Sequence, residues 1–241
     1  MTPLRRALCV LAATAASLLV HPARACGGSG PGGTGACEFP RSERIVRLGS
    51  SLGTTWSRIS FGDGRKVDAR RSVLYATAAT SLGTRTLLEV GLGGLLPGGQ
   101  LSGASRAELG PGASFAITLA WNAVRAEGAR PFVTFTATLS GLAASTTSAS
   151  GEHVPYGALD ARVGINAGYT LWKVLRPYVM GRVFGGPIFW RYENERVTGT
   201  DVYKYQLGGG VAWKLPARFD AFVEGVGLGE RGLFVGLGRG F

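Results

Sequence analysis

Along most of this chain, apolar side chains alternate one for one with small or polar ones. Phe115, Ile117, Leu119 and Trp121 alternate with Ser114, Ala116, Thr118 and Asn122. Val133, Phe135, Ala137 and Leu139 alternate with Thr134, Thr136, Thr138 and Ser140. Val163, Ile165, Ala167, Tyr169 and Leu171 do the same with Arg162, Gly164, Asn166 and Thr170, as do Tyr203, Tyr205, Leu207, Val211 and Trp213 with Lys204, Gln206, Gly208 and Lys214. Successive Cβ atoms of a strand point to opposite faces, so a period of two marks strands with one apolar and one polar face. No convincing amphipathic helix, with its period of 3.6, occurs. Turn signals cut the pattern into about ten strands, with eight as the alternative count. They fall at 44–60, 67–81, 84–95, 107–124, 131–144, 156–171, 177–192, 202–215, 218–228 and 232–241. Joined by tight turns, such strands predict an all-β, antiparallel up-and-down barrel over 44–241.

The first 25 residues carry an address. Arg5 and Arg6 precede the apolar run Ala7 to Val20, and Ala23-Arg24-Ala25 has the A-x-A form of a cleavage site. The run is too short for a transmembrane helix, and the three parts together form a secretory signal peptide. Residues 26–43 are a Gly-rich segment expected in the periplasm. Its two cysteines, Cys26 and Cys37, are expected to pair in an oxidising compartment, with an acylated Cys26 as the alternative.

Alternation does not say which face meets which medium, because a soluble barrel also has one apolar face. Three features favour the apolar face outside, against lipid. Charge sits mid-strand on the polar face at Glu89, Asp160, Arg162, Arg182 and Glu224; these, with Arg85, Lys204, Lys214 and Asp220, are expected in the lumen, as are Asp68, Arg70 and Glu108. Trp121, Tyr169 and Trp213 lie on the apolar face at the same end of alternate strands, as an interfacial aromatic girdle would. The chain ends with Leu233, Val235, Leu237 and Phe241 on one face. This last strand resembles the C-terminal insertion signal of bacterial outer-membrane β-barrels, although Arg239 departs from its hydrophobic preference. The resemblance implies a small outer-membrane barrel of a Gram-negative bacterium, with outer-membrane lipids and the barrel-assembly machinery as partners and an envelope partner left open. It also implies that both termini face the periplasm. The turns on that side would carry eight basic residues, Arg41, Arg44, Arg85, Arg125, Arg130, Lys173, Arg176 and Arg218, and the outer turns would be nearly neutral.

Composition removes several classes. Hydrophobic residues are 45% and charged residues 17% of the chain, with no long apolar run after residue 25, so a helical membrane protein is excluded. The formal charge is +11, or +8 after loss of three arginines with the signal, but the basic residues are scattered, which argues against nucleic acid. Two histidines and three cysteines offer no metal-ligand spacing, and no cofactor is expected. Gly49-Ser50-Ser51-Leu52-Gly53 matches G-x-S-x-G, yet no helix follows to form the turn that activates such a serine. His153 beside Glu152 reads as a solvated loop residue. Resemblance to omptin-type proteases goes no further than strand count. The sequence thus predicts a non-enzymatic barrel of structural, interaction or small-solute-passage type, with a charge-lined and largely filled lumen. The alternative is a secreted soluble ligand-binding barrel, and an outer-membrane hydrolase stands third.

Overall fold

A computed structural model describes residues 46–103, 106–125, 131–147, 151–192 and 195–241. The signal peptide, the Gly-rich segment and the Cys26–Cys37 pairing lie outside the described residues.

The alternating segments form one closed antiparallel barrel. Its strands are β1 (Val46–Phe61), β2 (Lys66–Ser81), β3 (Thr86–Leu95), β4 (Gly99–Ser102), β5 (Arg106–Val124), β6 (Phe132–Thr147), β7 (His153–Gly168), β8 (Leu175–Gly185), β9 (Ile188–Tyr192), β10 (Glu195–Asp201), β11 (Tyr205–Lys214), β12 (Phe219–Gly229) and β13 (Arg231–Gly240). Among the described residues the count is thirteen, above the ten expected. The excess arises because three crossings are interrupted. Breaks at 96–98, 186–187 and 202–204 divide them into β3/β4, β8/β9 and β10/β11. Each break carries Gly or Pro, or a run that leaves the ladder, and β10 occupies residues expected as a loop.

The breaks change the barrel's size along its axis. In the lower part ten strands close the ring, in the order β1, β2, β3, β5, β6, β7, β8, β11, β12, β13 and back to β1. The β12–β13 hairpin ends early, at Gly229-Glu230-Arg231. Above it β10 pairs directly with β1, through Ile59 with Asp201 and Phe61 with Gly199. There the ring is β1, β2, β4, β5, β6, β7, β9, β10, which is eight strands.

The two parts differ in what they expose, while both bury apolar clusters; that of the ten-stranded part includes Phe132, Tyr178, Met180, Phe222 and Phe234. Around the ten-stranded part the outward positions are apolar and exposed, including Leu48, Leu74, Leu92, Ile117, Leu139, Val163, Val179, Leu207, Val223 and Leu237. Around the eight-stranded part the apolar side chains point inward. Ile59, Phe61, Val67, Leu101, Leu109, Val154, Tyr156, Ile188 and Trp190 form one buried cluster, while Arg58, Lys66, Asp68 and Arg70 are exposed outside. Strand length explains the inversion. The 16 residues of β1 measure roughly 53 Å at about 3.3 Å per residue. A tilt of about 40° leaves roughly 40 Å of height against an apolar band of about 25 Å. The wall therefore extends beyond the exposed apolar belt, and there the apolar side chains are buried inside the barrel.

Three lumen assignments are corrected. Asp68, Arg70 and Glu108 face outward and are exposed. For Glu108 the cause is a β-bulge between Leu109 and Gly112, which shifts the alternation by one residue.

Candidate functional site: a lumen filled by ion pairs

The inward face of the lower barrel combines small residues with long charged ones. Glycine makes this arrangement fit. A Cβ on Gly238 would lie 2.0 Å from a guanidinium nitrogen of Arg47, so the bare backbone of β13 is the floor on which Arg47 rests. A Cβ on Gly53 would lie 2.4 Å from the Phe234 ring in the same way.

Three ion-pair tiers are stacked along the axis. Nearest the termini, Arg47 on β1 clasps Asp220 on β12 with two hydrogen bonds, one of 3.0 Å from Nε, and approaches Glu89 on β3 at 4.0 Å. In the middle, Arg182 on β8 donates two bonds of 3.0 Å to Glu224 on β12, and the Tyr178 hydroxyl donates a third of 2.9 Å. At the top, Glu230 turns inward from the tip of the β12–β13 hairpin. It receives Arg71 at 3.1 Å, Arg162 at 3.1 Å and the Gln206 amide at 2.6 Å. Arg162 also pairs with Asp160 and lies 4.5 Å from the centre of the Phe184 ring.

Above these tiers sits the apolar cluster, fixed by a 2.9 Å bond from the Trp190 indole to Thr146 and by Phe61, whose ring centre is 5.7 Å from that of Trp190. A cavity of about 60 Å³ remains between cap and tiers, lined by Ser51, Thr55, Arg71, Tyr75, Asp160 and Arg162, among others. Its space suits a few ordered waters. One oxygen of Asp160 and one guanidinium nitrogen of Arg162 lack a protein hydrogen-bond partner there. Among the described residues no cluster of His, Cys, Asp and Glu could hold a metal ion.

Of the residues expected in the lumen, Glu89, Arg162, Arg182, Asp220 and Glu224 are buried there. Asp160 is half-buried within it. Lys214 is half-buried and lies directly across the ladder from Asp220. Two assignments are corrected. Arg85 is exposed in the turn before β3, since the ladder begins only at Thr86. Lys204 is exposed because it sits in the break between β10 and β11, where alternation no longer holds.

The outward assignments are also located. Trp121, Tyr169 and Trp213 are exposed at the terminal end of the barrel. Leu233, Val235, Leu237 and Phe241 point outward, and the Phe241 amide is bonded to the Val46 carbonyl at 2.9 Å, across the closing seam.

Sequence reasoning missed Arg47, Arg71, Arg176, Asp201 and Glu230, all of which are inward, with Arg47, Arg176, Asp201 and Glu230 fully buried. Arg176, expected in a turn on the terminal side, is thus a correction. The phase of β13 contained a signal. Gly232, Phe234, Gly236 and Gly238 are inward, so Glu230 falls on the same face. Ser51 is buried and lines the cavity, on an uninterrupted strand. His153 is exposed at the opposite end of the barrel from the termini, bonded to the Thr147 hydroxyl at 2.9 Å.

No protein-family profile matches the sequence, and no curated protein does. Among solved structures, the chain is similar to the outer membrane protease OmpT from Escherichia coli, at 12% identity over 86% of this chain and 99% of that one, with a TM-score of 0.48. It is also similar to the translocator domain of the autotransporter NalP from Neisseria meningitidis, at 14% identity, 81% and 87% coverage and a TM-score of 0.45. A third similar structure is an outer membrane channel from Pseudomonas putida F1, at 11% identity, 85% and 97% coverage and a TM-score of 0.43.

Proposed function

We propose that this chain is a closed outer-membrane barrel of a Gram-negative bacterium, exported by its signal peptide, with a structural or interaction role rather than a conducting or catalytic one. The carrying observation is the narrowing from ten strands to eight at Glu230. An eight-stranded ring has an interior just wide enough for its own side chains. Here that ring is filled by the apolar cluster, and the wider ring beneath it by paired arginines and carboxylates together with Phe132, Tyr178, Met180, Phe222 and Phe234. Water and ions would have to cross both, and separating a buried ion pair is costly.

The belt of exposed Leu, Val, Ile and Phe supports lipid as the surrounding medium and disfavours a soluble ligand-binding barrel. Ser51 and His153 sit in different parts of the barrel, which supports the non-enzymatic reading. In this reading the termini face the periplasm and the eight-stranded cap faces outward. Purified protein in planar bilayers is expected to give little conductance, or small flickering events. A steady, porin-sized conductance in unsubstituted protein would falsify the closed-lumen reading.

A further inference from the structure

The outer wall carries a row of alternating arginine and aromatic side chains where the apolar belt ends. Trp56 on β1 lies in register with Arg70 on β2 and with Arg231 on β13. All three are outward and exposed, with the Arg70 guanidinium 5.8 Å from the centre of a Trp56 ring. One strand pair further, Tyr205 and Tyr203 extend the row, edge to face at 6.4 Å. Tyr205 adjoins the Arg231 hairpin, where its carbonyl accepts the Glu230 amide. Arg58 stands two residues above Trp56, held by Asp68 at 2.6 and 3.0 Å. Below the row come Leu233 and the hydrogen-bonded pair Thr54 and Ser72, and then Leu52 and Leu74, exposed on the belt.

We propose that this row is a binding site for the phosphate groups of a phosphorylated outer-leaflet glycolipid. The proposal rests on the outer-membrane reading and its orientation. Aromatic side chains at this height mark the level of the headgroups. Arginines among them meet anionic groups at that depth, and guanidinium binds phosphate by two parallel hydrogen bonds. Asp68 neutralises Arg58, which leaves Arg70 and Arg231, on either side of Trp56, as the pair facing the lipid. They are separated by two strand spacings, about 10 Å, so two separated phosphates on one headgroup, or one on each of two lipids, would reach both. The hairpin that turns Glu230 inward turns its neighbour Arg231 outward, so the narrowing of the barrel also places one member of the pair.

The test uses the full mature protein, folded in zwitterionic detergent, with bisphosphorylated lipid A as the probe and native mass spectrometry as the readout. Lipid A should remain bound in chelator. Arg70→Ala with Arg231→Ala should weaken binding at least about tenfold, at roughly fivefold per surface arginine. Arg239→Ala, on the wall at the opposite end, should leave binding unchanged. Arg70→Lys with Arg231→Lys, which keeps the charge, should retain part of the affinity and guards against misfolding of the alanine variant. Equal binding of dephosphorylated lipid A or of phosphatidylglycerol would overturn the proposal, as would equal loss with Arg239→Ala. Asp63→Cys, in the turn above the row, separates the two readings. If an impermeant maleimide labels it in intact cells but lipid A shows no preference, the glycolipid assignment fails alone. Labelling only after permeabilisation overturns the orientation and the assignment together.

Discussion

Glu230 holds the two rings of the barrel together. Its carboxylate collects Arg71, Arg162 and Gln206 from three strands at the height where ten strands become eight. Removing one partner of a buried pair leaves an uncompensated charge, at a cost of about 3–5 kcal/mol. Glu230→Ala should therefore lower the temperature at which the folded, fast-migrating band is lost on gels. Lys66→Glu, on the exposed wall, should barely move it. A second residue makes stability depend on pH. Asp201 stands in the cap above the apolar belt, and burial pushes its carboxyl up to about 6, opposed by Arg71. Its pKa is therefore higher folded than unfolded. Its contribution is fully favourable below the unfolded value near 4 and is lost as pH rises to about 6. Asp201→Asn should raise the melting temperature at pH 8, by the equivalent of roughly 2–3 kcal/mol at most, and change little at pH 4. An unchanged difference between the two pH values would refute this assignment.

At the scale of elements, the breaks and the seam matter most. The β8–β9 break is made by Gly186, where a Cβ would lie 1.9 Å from the Leu159 carbonyl oxygen of β7. Backbone cannot rotate away as a side chain can, so Gly186→Ala should displace β9 and loosen the cap. Limited proteolysis should then cut within 186–204 while the lower barrel remains protected. The last strand closes the ring against β1 over ten register pairs, and the Phe241 amide extends that ladder. Deleting Phe241, or Phe241→Ala, should reduce the yield of heat-modifiable protein in the outer-membrane fraction without reducing export. Full yield after deletion would count against its role as an insertion signal.

For the whole molecule, the proposed closure rests on two regions of different chemistry. The cap is an apolar cluster, and the tiers beneath carry paired charges. Trp190→Ala with Phe61→Ala should open the cap and expose the cavity beside Arg162, read as faster labelling of a cysteine placed at Ser51. Conductance in planar bilayers should nevertheless stay low, because the pairs of Arg47 and Arg182 lie below the opening. A steady conductance in this double variant would show that the cap alone closes the barrel.

Residue alternation by itself determined that this chain forms an antiparallel barrel, and which residues share a face within each unbroken strand. It also made Glu89, Arg162, Arg182, Asp220 and Glu224 legible as inward, because they alternate with the apolar residues that form the exposed belt. Alternation carries no information on height. Asp68 and Arg70 were misplaced because charged side chains face outward above the exposed apolar belt, and Glu108 because a bulge shifts the alternation of its strand. Lys204 and Glu230 depended on where strands break and hairpins end, and this is decided by which strands pair. Only the tertiary structure settled that β10 passes over the β12–β13 hairpin to meet β1. A ladder contact between residues so distant in sequence is a choice among partners, and a period of two is the same for every one of them.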